Sequence, residues 1–191
     1  MRILISLVFL FLTACATLPP PNRIDNVCYI FRQYPDWYAA AQKTQSKWSV
    51  PIDVQMAIIH QESKFQGDAK PPFQFFLGII PLGRPSSAFG YAQALDTTWD
   101  LYQRDQGHYF ASRQNFKDGV DFIGWYAHSA YQRANIPKND AYHLYLAYHE
   151  GVTGYLNRTY LRKPWLIRVA HKVSAQSAIY RAQLQNCYIR Y

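Results

Sequence analysis

The segment from residue 52 to residue 65 constrains the fold of this chain most, because its apolar residues recur at helical spacing. Ile52, Met56 and Ile59 form one stripe of the predicted amphipathic helix. Glu62 lies in the last turn, beside that stripe. Because a helix C-terminus and an apolar environment both disfavour an ionised carboxylate, we expect a raised pKa for Glu62, which suits a general acid. The alternative is a partly exposed glutamate at an ordinary helix end.

Composition places this segment in one globular domain with a basic surface. The chain has 191 residues, enough for a single domain with a core, and its 49% apolar and 17% charged residues exclude a disordered chain. The net charge of +8 favours anionic partners such as lipid headgroups or an anionic cell-wall polymer. The chain has no glycine-rich phosphate loop or basic tract that would indicate nucleic-acid binding. We expect a monomer that uses no cofactor.

Residues 1–14 read as an export signal. Arg2 supplies the short positive region, and residues 3–12 form an apolar run that is too short to span a membrane. The run ends in Leu-Thr-Ala-Cys at residues 12–15, which resembles a bacterial lipobox whose cysteine is acylated and becomes the first mature residue. The alternative is an ordinary signal peptide followed by a chance cysteine.

The lipobox resemblance implies an anchored protein of the bacterial cell envelope. Acylation at Cys15 would hold the chain in the membrane, and Ala16 after it implies sorting to the outer membrane, with the domain facing the periplasm. Residues 15–24 then form a stiff, proline-rich tether that holds the domain off the lipid, and residues 25–191 form the folded domain.

The other two cysteines, Cys28 and Cys187, lie near the two ends of this domain. Export places them in an oxidising compartment, where an even pair suggests a disulfide. Closing so long a loop contributes on the order of 5 kcal/mol in the chain-entropy model. Two free buried thiols are the alternative, and a metal cluster is not expected because the domain has no further cysteine.

Start signals along the domain predict a mainly α-helical fold. Helices that begin with Asn, Asp or Pro are predicted at residues 26–34, 35–48, 51–62, 96–106, 115–134, 139–151 and 164–187. Gly151 is the predicted C-cap of the sixth helix. Glycine and proline residues interrupt the pattern over residues 66–92, where residues 73–80 are predicted to form a short β-hairpin or a flap. Its aromatic side chains should pack on the domain or on a ligand.

Three short motifs follow one another in the chain. They are Glu62-Ser63 with Phe65, then Gly90-Tyr91-Ala92-Gln93, then Ala147-Tyr148-His149-Glu150-Gly151. Together they resemble the soluble lytic transglycosylase family, which carries Glu-Ser, a Gly-Leu-Met-Gln type motif and Ala-Tyr-Asn-x-Gly. The chain departs from these motifs at residues 91–92 and at His149, and residues 73–85 look like an insertion. The resemblance covers residues from about 50 to 155.

The resemblance implies a lysozyme-like domain of the goose type, with the hairpin or flap beside its cleft. The family cleaves the β-1,4 bond between N-acetylmuramic acid and N-acetylglucosamine in peptidoglycan glycan strands. Glu62 would protonate the glycosidic oxygen and then, as a base, deprotonate the muramic C6 hydroxyl that attacks C1. The product is a 1,6-anhydro sugar, and one carboxylate suffices where most glycosidases use a pair.

The matching positions imply further site residues. Tyr148 would form a hydrogen bond near Glu62, and Gln93 would bind acetamido or hydroxyl groups of the sugar. The remaining candidates for substrate binding are Ser63, Tyr91 and His149. The alternatives are a core tyrosine for Tyr148, a polar cap for Gln93 and ordinary helix termination for Ser63.

Two other functions stay open. Glu150 as a second carboxylate would permit lysozyme-type hydrolysis, although a solvated glutamate before a C-capping glycine is the simpler interpretation. The altered second and third motifs also fit a catalytically silent peptidoglycan-binding lipoprotein.

His143 and His149 lie on different faces of their helix and the chain has no HExxH pattern, so we expect no metal site.

Overall fold

The computed structural model describes residues 18–77 and 79–187. The export signal predicted for residues 1–14 and the acylation predicted at Cys15 lie outside these residues. Over the described ranges, no helix is long and apolar enough to cross a membrane.

The architecture is mainly helical, which confirms the predicted fold class. In chain order, the elements of the described ranges are α1 (Val27–Gln33), α2 (Pro35–Trp48), α3 (Ile52–Ser63), β1 (Gln74–Phe76), β2 (Ile80–Gly83), α4 (Asp96–Gln106), α5 (Phe116–Ala134), α6 (Ala141–Leu156), a 3-10 helix (Thr159–Arg162) and α7 (Pro164–Gln185). The two strands form one antiparallel hairpin.

Most helices begin where their start signals predict. The Asn26 side chain accepts the backbone N–H of Tyr29 in the first turn of α1, and the Asn115 side chain accepts that of Lys117 in the first turn of α5. Three starts differ by one residue. Helix α3 begins at Ile52, so Pro51 is its N-cap and not its first residue. Leu95 rather than Asp96 precedes α4, and Asp140 rather than Asn139 caps α6 by accepting the N–H of His143.

The backbone leaves the helical conformation at Gly151, as predicted, but a second helical segment that was not predicted follows it. Gly151 has left-handed φ of 73° with ψ of 154°, and the chain continues after this kink as a helix to Leu156. The physical reason is that Val152, the first residue after the kink, is buried again and keeps the second part on the core. The kink turns the third motif toward the C-terminal part of the domain.

Helix α3 lies at the centre of the core, so its predicted one-sided amphipathic character is wrong. Met56 and Ile59 have no exposed surface, and Gln55 on the neighbouring stripe has none either. Gln55 Nε2 donates to the carbonyls of Ala41 and Val50, at 3.2 and 2.8 Å, whereas its buried Oε1 has no hydrogen-bond partner among the described residues. The sequence pattern misses this burial because α7 covers the second face of α3.

Two long-range connections tie the end of the domain to its beginning. The buried Asp53 of α3 accepts hydrogen bonds from Ser177 and Arg181 of α7, at 2.7 and 2.9 Å. The Sγ atoms of Cys28 and Cys187 are bonded to each other, with their Cα atoms 5.7 Å apart. Both connections hold α7 against the α1–α3 part of the core.

The N-terminal tether predicted for residues 15–24 is not free along its length. Pro21 is buried, and the Tyr34 hydroxyl donates to the carbonyl of Pro19 at 2.8 Å. The segment therefore lies on the domain from residue 19 onward, and in this it differs from the predicted spacer.

The hairpin stands away from the helices. Phe75 pairs with Pro81 and Phe76 with Ile80, and neither strand packs extensively against a helix in the described ranges. Phe73 and Phe75 remain 50% and 52% exposed, so these two aromatic side chains do not fill a core of their own beneath the loop.

Candidate active site

Glu62 projects from the C-terminal turn of the most buried helix of the domain. Helix α3 stops because Lys64 and Phe65 both adopt left-handed backbone conformations, with φ of 51° and 63°. The Phe65 side chain is fully buried, and its ring packs 6.0 Å from the ring of Trp37, which anchors the turn. Glu62 is thus held between a rigid helix and an anchored turn.

The surroundings of Glu62 keep a substantial fraction of its carboxyl protonated near neutral pH. Burial raises its pKa to about 7, while a hydrogen bond from Tyr145 and the positive charge of Lys64 act in the opposite direction. The raised pKa agrees with the expectation from the sequence. Its largest cause is desolvation by burial. A carboxyl with such a pKa can both donate and accept a proton near neutral pH.

Tyr145 is the site residue that sequence reasoning missed. It lies on α6, is buried, and its hydroxyl is the side-chain hydrogen-bond partner of the Glu62 carboxyl. Its own pKa is raised by burial and by the negative charge of Glu62. The available signal was its spacing, because Tyr145 precedes Tyr148 by one helical turn on the same face.

Tyr148 contacts a different partner from the one expected. Its hydroxyl donates to the carbonyl oxygen of Ala92 at 2.5 Å, so it fastens the third motif to the second. Glu62 still influences it, because burial first and then the carboxylate charge raise the pKa of Tyr148 well above its ordinary value. The structure therefore brings Glu62, Tyr145 and Tyr148 together. Tyr145, rather than Tyr148, forms the hydrogen bond to the Glu62 carboxyl.

The second motif forms a tight turn, in which Tyr91 is part of the core. Gly90 has φ of 78°, and a Cβ atom at this position would lie 2.0 Å from the carbonyl oxygen of Arg113. The Tyr91 ring is only 1% exposed and contacts the rings of Trp37 and Phe116. The expectation that Tyr91 binds substrate is corrected by this burial.

Gln93 closes the same turn. Its backbone is left-handed, with φ of 49°, and its Nε2 donates to the carbonyls of Ala69 and Gly90, both at 2.8 Å. The side-chain amide thus ties the loop that follows α3 to the second motif. Its two amide hydrogens serve this purpose, and they are not free for a sugar.

Ser63 is a helix-end residue in the structure. Its side chain is buried, and its hydroxyl donates back to the carbonyl of Ile59 at 3.4 Å. The expectation that it orients a sugar is therefore corrected in favour of ordinary helix termination.

The Glu150 side chain is largely buried. It is 4% exposed and accepts hydrogen bonds from Lys163 at 2.7 Å and from the Thr159 hydroxyl, while His149 Nδ1 lies 3.0 Å away. Burial by itself raises the pKa of Glu150, but these partners lower it to about 2. The interpretation of Glu150 as a solvated glutamate is wrong, because the chain after the kink at Gly151 returns and encloses it.

A cavity of about 250 Å³ lies between the second and third motifs. Its lining includes Gln93, Tyr126, Tyr148, His149, Glu150 and Gly151. His149 is exposed there and meets the ring of Trp165 edge-on, with centroids 5.0 Å apart. Tyr148 is common to this cavity and to the surroundings of Glu62, so His149 remains the exposed candidate for contact with a sugar.

The described ranges contain no group of three His, Cys, Asp or Glu side chains that could hold a metal ion.

Comparisons with known proteins agree with this arrangement at the level of the domain. A search of curated proteins found no match. The family model described as "Transglycosylase SLT domain" matches residues 3–187, which is most of the chain and contains all three motifs. The function is therefore of the transglycosylase type and related to peptidoglycan, and this chain belongs to the transglycosylase SLT domain family.

Proposed function

We propose that the protein is a lytic transglycosylase that cleaves the N-acetylmuramic acid–β-1,4–N-acetylglucosamine bond of peptidoglycan and forms 1,6-anhydro-N-acetylmuramic acid. The observation that carries this proposal is the Glu62 carboxyl, whose pKa burial raises to about 7. Apart from burial, the groups that shift its pKa are Tyr145 and Lys64, neither of which is a carboxylate. This supports a reaction that needs one titrating acid, as the intramolecular cleavage does.

Glu62 performs both proton transfers of the reaction. As an acid it protonates the glycosidic oxygen, so that the bond to C1 breaks with a neutral leaving group. As the resulting carboxylate it removes the proton from the muramic C6 hydroxyl, which attacks C1 and closes the anhydro ring. The second transfer regenerates the protonated acid, and no water enters the balance.

Tyr145 acts on Glu62 and is a positioning residue. Its hydroxyl donates to the carboxylate, which favours the ionised form and limits the rise of the Glu62 pKa. It also orients the carboxyl toward one side, so that the free oxygen faces the substrate.

Tyr148 and Gln93 hold the opposite wall of the site. Both bond to backbone carbonyls of the loop region around the second motif, at Ala92 for Tyr148 and at Ala69 and Gly90 for Gln93. They set the distance between this wall and Glu62, on which the alignment of the reacting atoms depends.

Lysozyme-type hydrolysis needs a second carboxylate that activates a water. Glu150 is the acid that the third motif supplies, and its oxygens are engaged by Lys163 and Thr159. This engagement favours the transglycosylase reaction over hydrolysis. The catalytically silent alternative conflicts with the raised pKa of Glu62, since a purely binding site gains nothing from a costly buried carboxyl.

Digestion of purified peptidoglycan followed by mass spectrometry tests the proposal. We expect new anhydro-muramic ends with the native protein and none with Glu62→Gln. New reducing ends would establish a hydrolase, and the absence of any new end from correctly folded protein would establish a binding protein.

We also propose that the chain is an outer-membrane lipoprotein acylated at Cys15. The lipobox at residues 12–15 and the alanine at residue 16 support this proposal. Cys15→Ser should block maturation or release the protein from membranes. Unchanged maturation and membrane fractionation of the variant would argue against acylation.

A further inference from the structure

The segment of residues 73–82, named here the apolar hairpin, exposes more large apolar side chains than any other part of the described domain. Leu77 and Ile79 at its tip are both 78% exposed, and Leu82 is 64% exposed. Phe73 and Phe75 add half-exposed rings, and Gln74 is the single polar side chain of the segment. A two-stranded hairpin that exposes such a surface is marginal in water unless an apolar partner covers it.

The base of the apolar hairpin is cationic and free of acids. Residues 69–95 contain no Asp or Glu. Arg84 Cζ lies 4.3 Å from the centre of the Phe73 ring, and Lys70 Nζ lies 4.7 Å from the centre of the Phe89 ring. The cations and aromatic rings at the base of the hairpin suit the headgroup layer of a bilayer. The aliphatic side chains at its tip suit the acyl layer.

The N-terminal segment leaves the domain beside this base. The Tyr34 hydroxyl holds Pro19, and the Tyr34 ring stacks 4.5 Å from that of Trp37. Trp37 contacts Tyr91, and the preceding Gly90 N–H bonds to Ala69 at the foot of the hairpin. Residues 15–18, roughly 12 Å of extended chain, are therefore all that separates the proposed lipid at Cys15 from the domain.

We propose that the apolar hairpin inserts into an anionic phospholipid surface and docks the domain on the membrane beside its lipid anchor. The aliphatic tip suits hydrocarbon, whereas a glycan needs hydrogen-bonding groups that residues 75–82 do not supply with their side chains. The position of the anchor rests on the proposed acylation, while the hairpin's own affinity does not.

The test uses the mature chain, residues 15–191, with Cys15→Ser, so that no acyl chain contributes. Flotation with phosphatidylcholine vesicles containing phosphatidylglycerol should carry the protein upward, and phosphatidylcholine alone should carry much less. Leu77→Asn with Ile79→Asn should weaken binding by at least roughly tenfold, since two large aliphatic side chains lose their burial. Lys70→Gln with Arg84→Gln should weaken binding to anionic vesicles alone, by about fivefold per cation.

The matched control is Leu101→Asn with Ile179→Asn, which removes two half-exposed aliphatic side chains from α4 and α7. Its vesicle binding should equal that of the parent chain. An environment-sensitive fluorophore on Ile79→Cys should shift to the blue on adding anionic vesicles, and the same fluorophore on Ile179→Cys should not. This readout leaves the rest of the hairpin intact and does not depend on enzymatic activity.

Three results would overturn the proposal. One is a parent chain that ignores anionic vesicles, and another is an Asn variant that binds them as the parent does. The third is binding to purified peptidoglycan, or concentration-dependent dimerisation, that the hairpin variant loses while vesicle binding is absent. Failure of the transglycosylase assignment would show only in the muropeptide products and would leave these vesicle measurements unchanged.

Discussion

At the residue scale, the Glu62 carboxyl links stability to chemistry. The surroundings that raise its pKa to about 7 also make its ionised form costly in the folded state. Tyr145 limits that cost by donating a hydrogen bond to the carboxylate. Three properties of this site can be tested separately: the proton transfer by Glu62, the electrostatic cost of its burial and the hydrogen bond from Tyr145.

Glu62→Gln should lower the rate of peptidoglycan cleavage by about 100-fold or more, because the amide keeps the shape but cannot transfer the proton. The measurement is the release of anhydro-ended muropeptides from purified walls. Circular dichroism should show an unchanged fold. Near-normal cleavage by the folded variant would remove Glu62 from the catalytic role.

The stability of the native protein should depend on pH through Glu62. Below the ordinary pKa of 4.5 the carboxyl is protonated in both states, and above about 7 it is ionised in both, so the burial penalty is complete. The free energy of unfolding should therefore fall between these values, by on the order of 3 kcal/mol. Denaturant titrations of native protein and Glu62→Gln across this range isolate the component, which the variant should lack. Parallel curves would contradict the raised pKa.

Tyr145→Phe should raise the pKa of Glu62 further, because it removes a hydrogen bond that favours the carboxylate. The limb of the pH–rate profile that reports this group should move to higher pH, and kcat should fall more than KM changes. Tyr142→Phe, on the same helix, is the matched control and should leave the profile in place. An unshifted profile for Tyr145→Phe would limit Tyr145 to packing.

At the element scale, the kink in α6 is held by an ion pair between the buried Glu150 carboxylate and the partly exposed Lys163. Helix α6 turns at Gly151, and the 3-10 helix and the start of α7 then bring Thr159 and Lys163 onto Glu150. This contact fixes the second half of α6 relative to the half that carries Tyr145 and Tyr148. The ion pair between Glu150 and Lys163 thus has a structural role in the domain.

Glu150→Gln should destabilise the fold by about 1–3 kcal/mol, because Lys163 loses its buried counter-charge. The Tm should fall by roughly 3–9 °C, while activity per folded molecule stays close to native at low temperature. Asp100→Asn, an exposed acid on α4, should change neither quantity. A large loss of activity at an unchanged Tm would instead make Glu150 a second catalytic carboxylate and revive the hydrolase alternative.

At the scale of the whole molecule, α7 closes the domain over the central helix. Its contacts to Asp53 and the bond between Cys28 and Cys187 join the last described residues to α1 and α3. Both connections lie at the N-terminal end of α3, whereas Glu62 lies in its last turn. The rigidity of the helix that presents the carboxyl therefore depends on the C-terminal part of the chain.

Cys28→Ser with Cys187→Ser should lower the free energy of unfolding by on the order of 5 kcal/mol, because the unfolded chain regains the freedom of a long loop. Urea titrations of the two proteins measure this difference. Dithiothreitol should produce the same loss in native protein and no change in the variant. Thiols of native periplasmic protein that react fully with an alkylating agent without reduction would reject the bridge.

Local signals in the sequence determined the elements and the family. Proline and asparagine positions are read correctly as helix starts at Pro35, Asn115 and Pro164, because they act through neighbouring backbone groups. The three motifs indicate the family for a similar reason, since each is a short local sequence. The direction of the Glu62 pKa was also accessible, because a helix end within an apolar pattern already implies desolvation.

Only the tertiary structure decided which side chains meet. Tyr145 bonds to Glu62 and Tyr91 enters the core because elements distant in sequence pack around them. Glu150 becomes buried because the chain returns onto it after Gly151. Periodicity describes one helix at a time, so it cannot show that a second helix covers the opposite face. Burial and hydrogen-bond partners are properties of that packing, and they determine which motif residues are able to reach a substrate.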